Sequence, residues 1–219
     1  VGFAWGLGST QGGPPKTVVR TGFGVFYDRF GRDLVMRARR LNGLNQQQYV
    51  VPLPDFYPDI PDLSVLTGGL TQPTVYQIDP SLHAPYLMQT AISIERQLSK
   101  TMTGSLTYVN SRGWDQLLTR NINAPLPGTY DPADPASGDR PLGNIGNIYQ
   151  YESAGIFRQN QLIANFNVRG GKRLSLFSNY TLNYARGNTG GASSFPVNQY
   201  DLMSNYGRAQ FDVRHRAFF

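Results

Sequence analysis

Five stretches of this chain alternate apolar and polar side chains by twos, over spans of about 9 to 13 residues. Strands of soluble proteins usually run about 5 or 6 residues, whereas a tilted strand needs about 9 to 11 to cross the hydrocarbon of a bilayer. In Thr17 to Tyr27, Val19, Thr21, Phe23, Val25 and Tyr27 point one way, and Val18, Arg20, Gly22, Gly24 and Phe26 the other. Tyr86 to Leu98 sets Met88, Thr90, Ile92 and Ile94 against Gln89, Ala91, Ser93, Glu95 and Gln97. Met102 to Ser111 sets Leu106 and Tyr108 against Thr103, Ser105 and Thr107. In the next pair, Leu162, Ala164, Phe166 and Val168 oppose Gln161, Asn165, Asn167 and Arg169, with Ile163 as an apolar intruder. Leu174, Leu176, Tyr180, Leu182 and Tyr184 then oppose Ser175, Asn179, Thr181 and Asn183, interrupted at Phe177 and Ser178.

The connections are lopsided. Short ones run from Gly8 to Lys16, Leu98 to Thr101 and Gly170 to Arg173; long, polar, Pro- and Gly-rich ones run from Asp28 to Pro85, Gly113 to Tyr149 and Gly187 to Arg208. Short turns at one rim and long loops at the other are the habit of an outer-membrane barrel. Ser99 to Thr101 and Gly170 to Lys172 are therefore expected on the periplasmic side and the long segments outside. Tyr27, Tyr86, Tyr108 and Tyr184 are expected near strand ends, as an interfacial girdle.

Composition supports uncharged polarity mixed with aromatics. Only 16% of the 219 residues are charged, against 15 Asn, 14 Gln, 13 Tyr, 12 Phe and 24 Gly, while soluble domains carry about 25% charged residues. The mean hydropathy of −0.36 is what alternating strands give when only one face is apolar. No apolar run reaches the roughly 18 to 20 residues of a membrane helix, so any crossing is by strands. The absence of cysteine excludes a disulfide framework and thiol chemistry. The net charge of +6 is spread along the chain, without the basic density and aromatic platforms of a nucleic-acid surface.

On this reading Gln89, Glu95, Asn165, Asn167, Asn179 and Asn183 line a barrel lumen. Phe23, Val25, Ile92, Ile94, Leu106, Phe166, Leu176 and Leu182 face lipid. Arg29, Arg32, Arg37, Arg39 and Arg40 form the most basic stretch, expected as a solvated surface loop or short helix able to meet lipopolysaccharide phosphates or an anionic ligand. A secreted or surface all-β module with a sandwich core, recognising glycan or protein through its loops, would alternate in the same way. Strand length, the Asn/Gln-rich face and the one-sided loops favour the barrel.

Signs of catalysis are lacking. His83 and His215 stand apart from other metal ligands, and Asp131, Asp134 and Asp139 do not follow calcium-loop spacing. The Gly22, Phe23, Gly24 triplet continues as strand where a nucleotide site needs a helix. Neither enzyme activity nor a cofactor or metal is expected.

Thr21 to Phe30 (TGFGVFYDRF), Arg120 to Gly128 (RNINAPLPG), Gly146 to Gln161 (GNIYQYESAGIFRQNQ), Leu174 to Ala185 (LSLFSNYTLNYA), Phe195 to Leu202 (FPVNQYDL) and Tyr206 to Arg216 (YGRAQFDVRHR) span most of the chain. In that order they resemble the barrel region of TonB-dependent outer-membrane receptors, of the Oar-like subgroup found in acidobacterial and related genomes. The resemblance implies a 22-stranded barrel in a Gram-negative outer membrane, plugged by an N-terminal domain. Such a barrel binds and imports a scarce or bulky ligand with energy from an inner-membrane complex. Large members also carry a carboxypeptidase-regulatory-like β-sandwich. Residues 1–219 show no such domain, plug, coupling box or signal segment. They read as an internal slice of the wall: an all-β, antiparallel, up-and-down sheet of about seven strands, with Phe219 at a point where a strand continues. The partners implied are the bilayer with its lipopolysaccharide, the rest of the barrel and plug, the energy-coupling complex and an unidentified ligand.

Overall fold

The computed structural model describes residues 1–8, 13–46, 56–59, 61–62, 64, 74–134, 137–170 and 174–219. Strands β1 (Gly2–Leu7) and β2 (Thr17–Tyr27) lead into helix α1 (Arg32–Arg40), followed by β3 (Val75–Ile78). Then come β4 (Tyr86–Ser99), β5 (Met102–Asn121), β6 (Ile148–Gly170), β7 (Leu174–Gly187) and the short β8 (Gly207–Arg208) and β9 (His215–Phe218). One sheet joins them in the order β1-β2-β4-β5-β6-β7-β8, every neighbouring pair antiparallel; β9 pairs β7 further along the same edge. Counting β8 and β9 as one interrupted strand, this is the expected meander of about seven.

Register explains why the alternation was legible. Directly opposed residues of an antiparallel pair share a face, and the ladder joins Val19, Ile94, Leu106, Ala164 and Tyr180 in one row across five strands. The next row joins Thr21, Ile92, Tyr108, Leu162 and Leu182. One face is thus apolar over the whole width. Phe23, Ile92, Ile94 and Leu106 remain 45–48% exposed on it, and no second sheet covers it among the described residues.

Strands β5 and β6 correct the expected lengths, having 20 and 23 residues. The predicted connection from Gly113 to Tyr149 is strand as far as Asn121 and again from Ile148, so the loop proper is 122–147. Bulges between Gly113 and Gln116 and between Gln116 and Leu118, with Asp115 at φ 54°, account for the miss. A bulge inserts an unpaired residue and shifts side-chain parity, so the period-2 pattern breaks although pairing goes on. Tyr108 consequently lies in the middle of its strand rather than at an end. The connections 9–12 and 171–173, with Gly171 and Lys172 of the predicted turn, lie outside the described residues.

Because β7 ends opposite Phe157, residues 148–156 of β6 run on beyond it. Their free edge takes up β3 in parallel, Val75 opposite Ile148 and Ile78 opposite Tyr151. Covering an exposed edge in this way removes a template for unwanted pairing. Helix α1 rests on this extension and buries Leu34 and Ala38 beside Tyr151, with Phe30, Tyr76, Ile78 and Leu117 around them. Asp33 in its first turn and Arg37, Arg39 and Arg40 in its last suit the helix dipole. Burial is thus concentrated at the loop side.

Asn123, fully buried, holds the 122–147 loop. Its Nδ2 donates to the carbonyls of Gly143 and Gly146 at 3.0 and 2.8 Å, and its Oδ1 accepts from Leu142 N at 2.9 Å. Asn123→Ala orphans Leu142 N and the Gly146 carbonyl, while the Gly143 carbonyl still accepts from Ile145 N; at about 1–3 kcal/mol for an unsatisfied buried group, the loop should lose on the order of 3 kcal/mol. Limited proteolysis of the intact protein should show new cleavage within 122–147 while the strands stay resistant; an unchanged pattern counts against this anchor.

Candidate functional site

On the second face of the sheet, polar side chains hydrogen-bond across the strands. Asn179 Nδ2 donates to Asn165 Oδ1 at 2.7 Å, and Asn165 Nδ2 to Ser105 Oγ at 3.1 Å, each pair directly opposed in the register. Gln89 Nε2 reaches Ser111 Oγ at 3.1 Å, and Ser93 and Thr107 share a 2.8 Å bond. Gln159 Nε2 donates to Asn183 Oδ1, and Asn183 Nδ2 to Asp212 Oδ1. Glu95 pairs with Arg20 at 2.6 Å, both half exposed. Asn167 shares the face nearer the turns and makes none of these bonds among the described residues. The six residues read from the sequence as lumen-facing therefore share one face, and five are tied into it.

The eight residues read as lipid-facing all lie on the opposite, apolar face. Of the arginines expected on a surface loop or short helix, Arg32, Arg37, Arg39 and Arg40 are on the helix α1, and they do not form one patch. At 100° per residue, Arg32 and Arg39 share one flank, whereas Arg37 and Arg40 lie on another; Arg37 sits over the Tyr76 ring at 5.4 Å. His215 Nδ1 bonds Tyr180 OH at 2.8 Å, and His83 N donates to Ser153 Oγ. Asp131 Oδ1 accepts from Ala133 N within its own turn.

A cavity of about 540 Å³ opens where the polar face meets the loop side. One register row runs beneath it through Phe26, Leu87, Gly113, Phe157 and Gly187 on five successive strands, and Phe26, Leu87 and Phe157 of that row line the cavity. Phe211 closes over Phe157 with ring centroids 5.7 Å apart, and Gln116, Thr189 and Gln210 supply polar groups at the wall. Gly113 lets Phe157 and Gln116 pack closely over the strand: a Cβ there would meet Gln116 Nε2 at 3.0 Å and Phe157 Cβ at 3.1 Å. Exposed aromatics beside a few polar groups suit an amphipathic small molecule better than a bare ion.

Only part of this pocket was visible in the sequence. Phe26 is legible as an apolar residue on the polar parity, but Phe157 falls between the expected loop, which ends at Tyr149, and the alternation that begins at Gln161, and Phe211 falls after the last clear strand. Asp212 was missed altogether. It is buried, accepts from Asn183 Nδ2 and Ala185 N, and pairs with Arg208 and Arg214, so it fastens the segment after β8 to the polar face.

Above the pocket, Arg120 grips Glu152 through both carboxylate oxygens at 2.7–3.0 Å. Hydrogen bonding to Glu152 and its charge raise the Arg120 pKa above the ordinary guanidinium value, against the opposing effect of burial. Burial raises the hydroxyls of Tyr149 and Tyr151, and the Ser81 backbone and hydroxyl groups lower the Asp79 carboxyl. None of these groups faces another in a nucleophile–base arrangement, and among the described residues no three His, Cys, Asp or Glu gather as a metal site.

No curated protein matches the sequence. Among solved structures, the chain is similar to the outer membrane transporter YddB from Escherichia coli, with a TM-score of 0.55 and 14% identity. The match covers 83% of this chain and 20% of that one, so this chain spans about a fifth of the transporter's length, and at that identity the likeness is one of fold. The family model of the outer membrane beta barrel domain matches residues 1–219. A two-faced antiparallel sheet, apolar on one side and laced with polar side chains on the other, is what that family's architecture requires, and the chain belongs to the outer membrane beta barrel domain family.

Proposed function

We propose that the chain forms wall and surface loops of a TonB-dependent, Oar-like receptor that binds and imports a ligand across the outer membrane. The observation that carries this reading is the polar face with the aromatic pocket at its loop-side end. A ligand caught among Phe26, Phe157 and Phe211 would stand at the mouth of a lumen lined by Gln89, Asn165, Asn179 and Asn183. The long loops then lie outside the cell and the Ser99–Thr101 turn in the periplasm. The work is binding and passage, with no catalytic step; the plug and the energy-coupling complex belong to this proposal as partners.

The secreted-module reading needs a partner sheet over Ile92, Leu106 and Leu182. Uncovered apolar faces of this width are rare on soluble proteins, and the family assignment supports lipid as the cover.

Single cysteines at Ile92, Leu106 and Leu182, and at Gln89, Asn165 and Asn179, test the faces in the full-length protein in outer membranes. A lipid-phase thiol probe should label the first set and a water-borne probe the second; the opposite labelling would overturn the assignment.

Phe157→Ala and Phe211→Ala should each weaken capture by about tenfold, in keeping with about 1–2 kcal/mol for a truncated aromatic anchor. The measurement is depletion from the medium of the compound that wild-type cells take up. Loss of the inner-membrane coupling complex should abolish that uptake while surface binding persists. Uptake that survives without the complex removes the TonB-dependent part of the proposal.

A further inference from the structure

Four arginines occupy one row of direct cross-strand partners. Arg112 of β5 opposes Arg158 of β6, Arg158 opposes Arg186 of β7, and Arg186 opposes Arg208 of β8. Arg112, Arg158 and Arg186 share the parity of Leu106, Leu162 and Leu182, so they belong to the apolar face. Each stands loop-side of a large apolar or tyrosine residue of that parity: Tyr108 before Arg112, Leu162 beyond Arg158, Tyr184 before Arg186. Adjacent strands are about 4.8 Å apart, so three successive arginines span about 10 Å.

Like charges directly opposed on a sheet work against pairing, and the chain relieves only the last of them. Arg208 Nε donates to Asp212 Oδ2 at 2.9 Å. Arg112, Arg158 and Arg186 are exposed and pair with no carboxylate among the described residues. Aromatics border the row: Tyr86 and Trp114 stack with centroids 5.6 Å apart on its loop side, and Tyr184 lies toward the apolar side. Tyr and Trp concentrate at the depth of lipid headgroups. Toward the turns, Arg96 is the one arginine or lysine of this parity among the described strand residues, and His215, opposite Leu182, bonds Tyr180.

We propose that Arg112, Arg158 and Arg186 form a docking surface for the phosphate groups of a phosphorylated glycolipid in the outer leaflet. The inference rests on the proposed reading of the apolar face as lipid-facing and the loop side as external. Guanidinium forks match phosphate oxygens bidentately, and a phosphate held there relieves the repulsion within the row. A lipid is the occupant rather than a free anion because the two surfaces are continuous. With its headgroup on the arginines, its acyl chains lie along Tyr108, Leu162, Leu182 and Leu106.

The test uses the full-length protein extracted from outer membranes, with native mass spectrometry titrations of lipid A and of lipid A stripped of its phosphates. The triple variant R112Q/R158Q/R186Q should bind phosphorylated lipid A at least tenfold more weakly and the stripped form unchanged, and the triple Lys variant should fall between. Equal binding of phosphorylated lipid A by triple variant and wild type overturns the proposal, as does equal loss of both forms. Inorganic phosphate binding as tightly as lipid A would make the row a free-anion site and likewise overturn it. Heat-modifiable gel mobility reports whether the barrel assembles; where the triple variant does not, R158Q alone should weaken phosphorylated lipid A about threefold, and no change overturns the proposal. Leu162→Cys in the same membranes separates the two readings. Failure of the lipid-phase probe to label it sinks the wall assignment, whereas labelling with unaltered lipid A binding sinks the arginine site alone.

Discussion

The antiparallel backbone ladder that runs from β1 through β2, β4, β5 and β6 to β7 is the constraint on which the other features depend. In hydrocarbon there is no water to satisfy a free N–H or C=O, so backbone groups must be paired strand to strand. Pairing fixes register, and register fixes faces, because a slip of one residue would carry every leucine of a strand to the polar side. The rows read across the sheet are therefore the common origin of the apolar belt, the polar cross-strand bonds, the pocket floor and the arginine row.

The β5–β6 hairpin supplies the second level of organisation. Its strands run to 20 and 23 residues, roughly twice what a bilayer crossing requires, and the surplus projects on the loop side. There it behaves as a soluble structure does. It takes β3 along its free edge, buries Tyr151 and Leu118 to 1% exposure and organises loops through Asn123 and the Arg120–Glu152 pair. The chain thus contains two solvent regimes. In one, apolar side chains remain uncovered by protein; in the other they gather into a small core around α1. The aromatic pocket lies where the two meet, on the polar face, with the arginine row on the reverse side of the same strands.

Within the polar face, opposed amides satisfy one another. Asn165 with Asn179, and Gln159 with Asn183, form bonds that leave further donor and acceptor capacity directed away from the backbone. Such a surface is wettable without carrying a large charge, which suits the passage of neutral or weakly charged solutes in the proposed role. Glu95 offsets Arg20, and Asp212 is shared by Arg208 and Arg214.

The sequence by itself determined the two faces and the meander. Period-2 alternation is a local property of the backbone, so Phe23, Ile92, Leu106 and Leu182 could be assigned to one side, and Gln89, Asn165 and Asn179 to the other, without any contact being known. The family resemblance was legible for the same reason, as strings of residues in order. Only the tertiary structure decided how far β5 and β6 extend, since the bulges at Gly113 to Leu118 erase the alternation while hydrogen bonding continues. It also decided that the arginines of Arg32–Arg40 separate around a helix, and that Phe26, Phe157 and Phe211, far apart in the chain, meet at one pocket. It placed Arg112, Arg158, Arg186 and Arg208 in one row. Which residue stands beside which is set by strand pairing across loops of any length, and no local pattern encodes that.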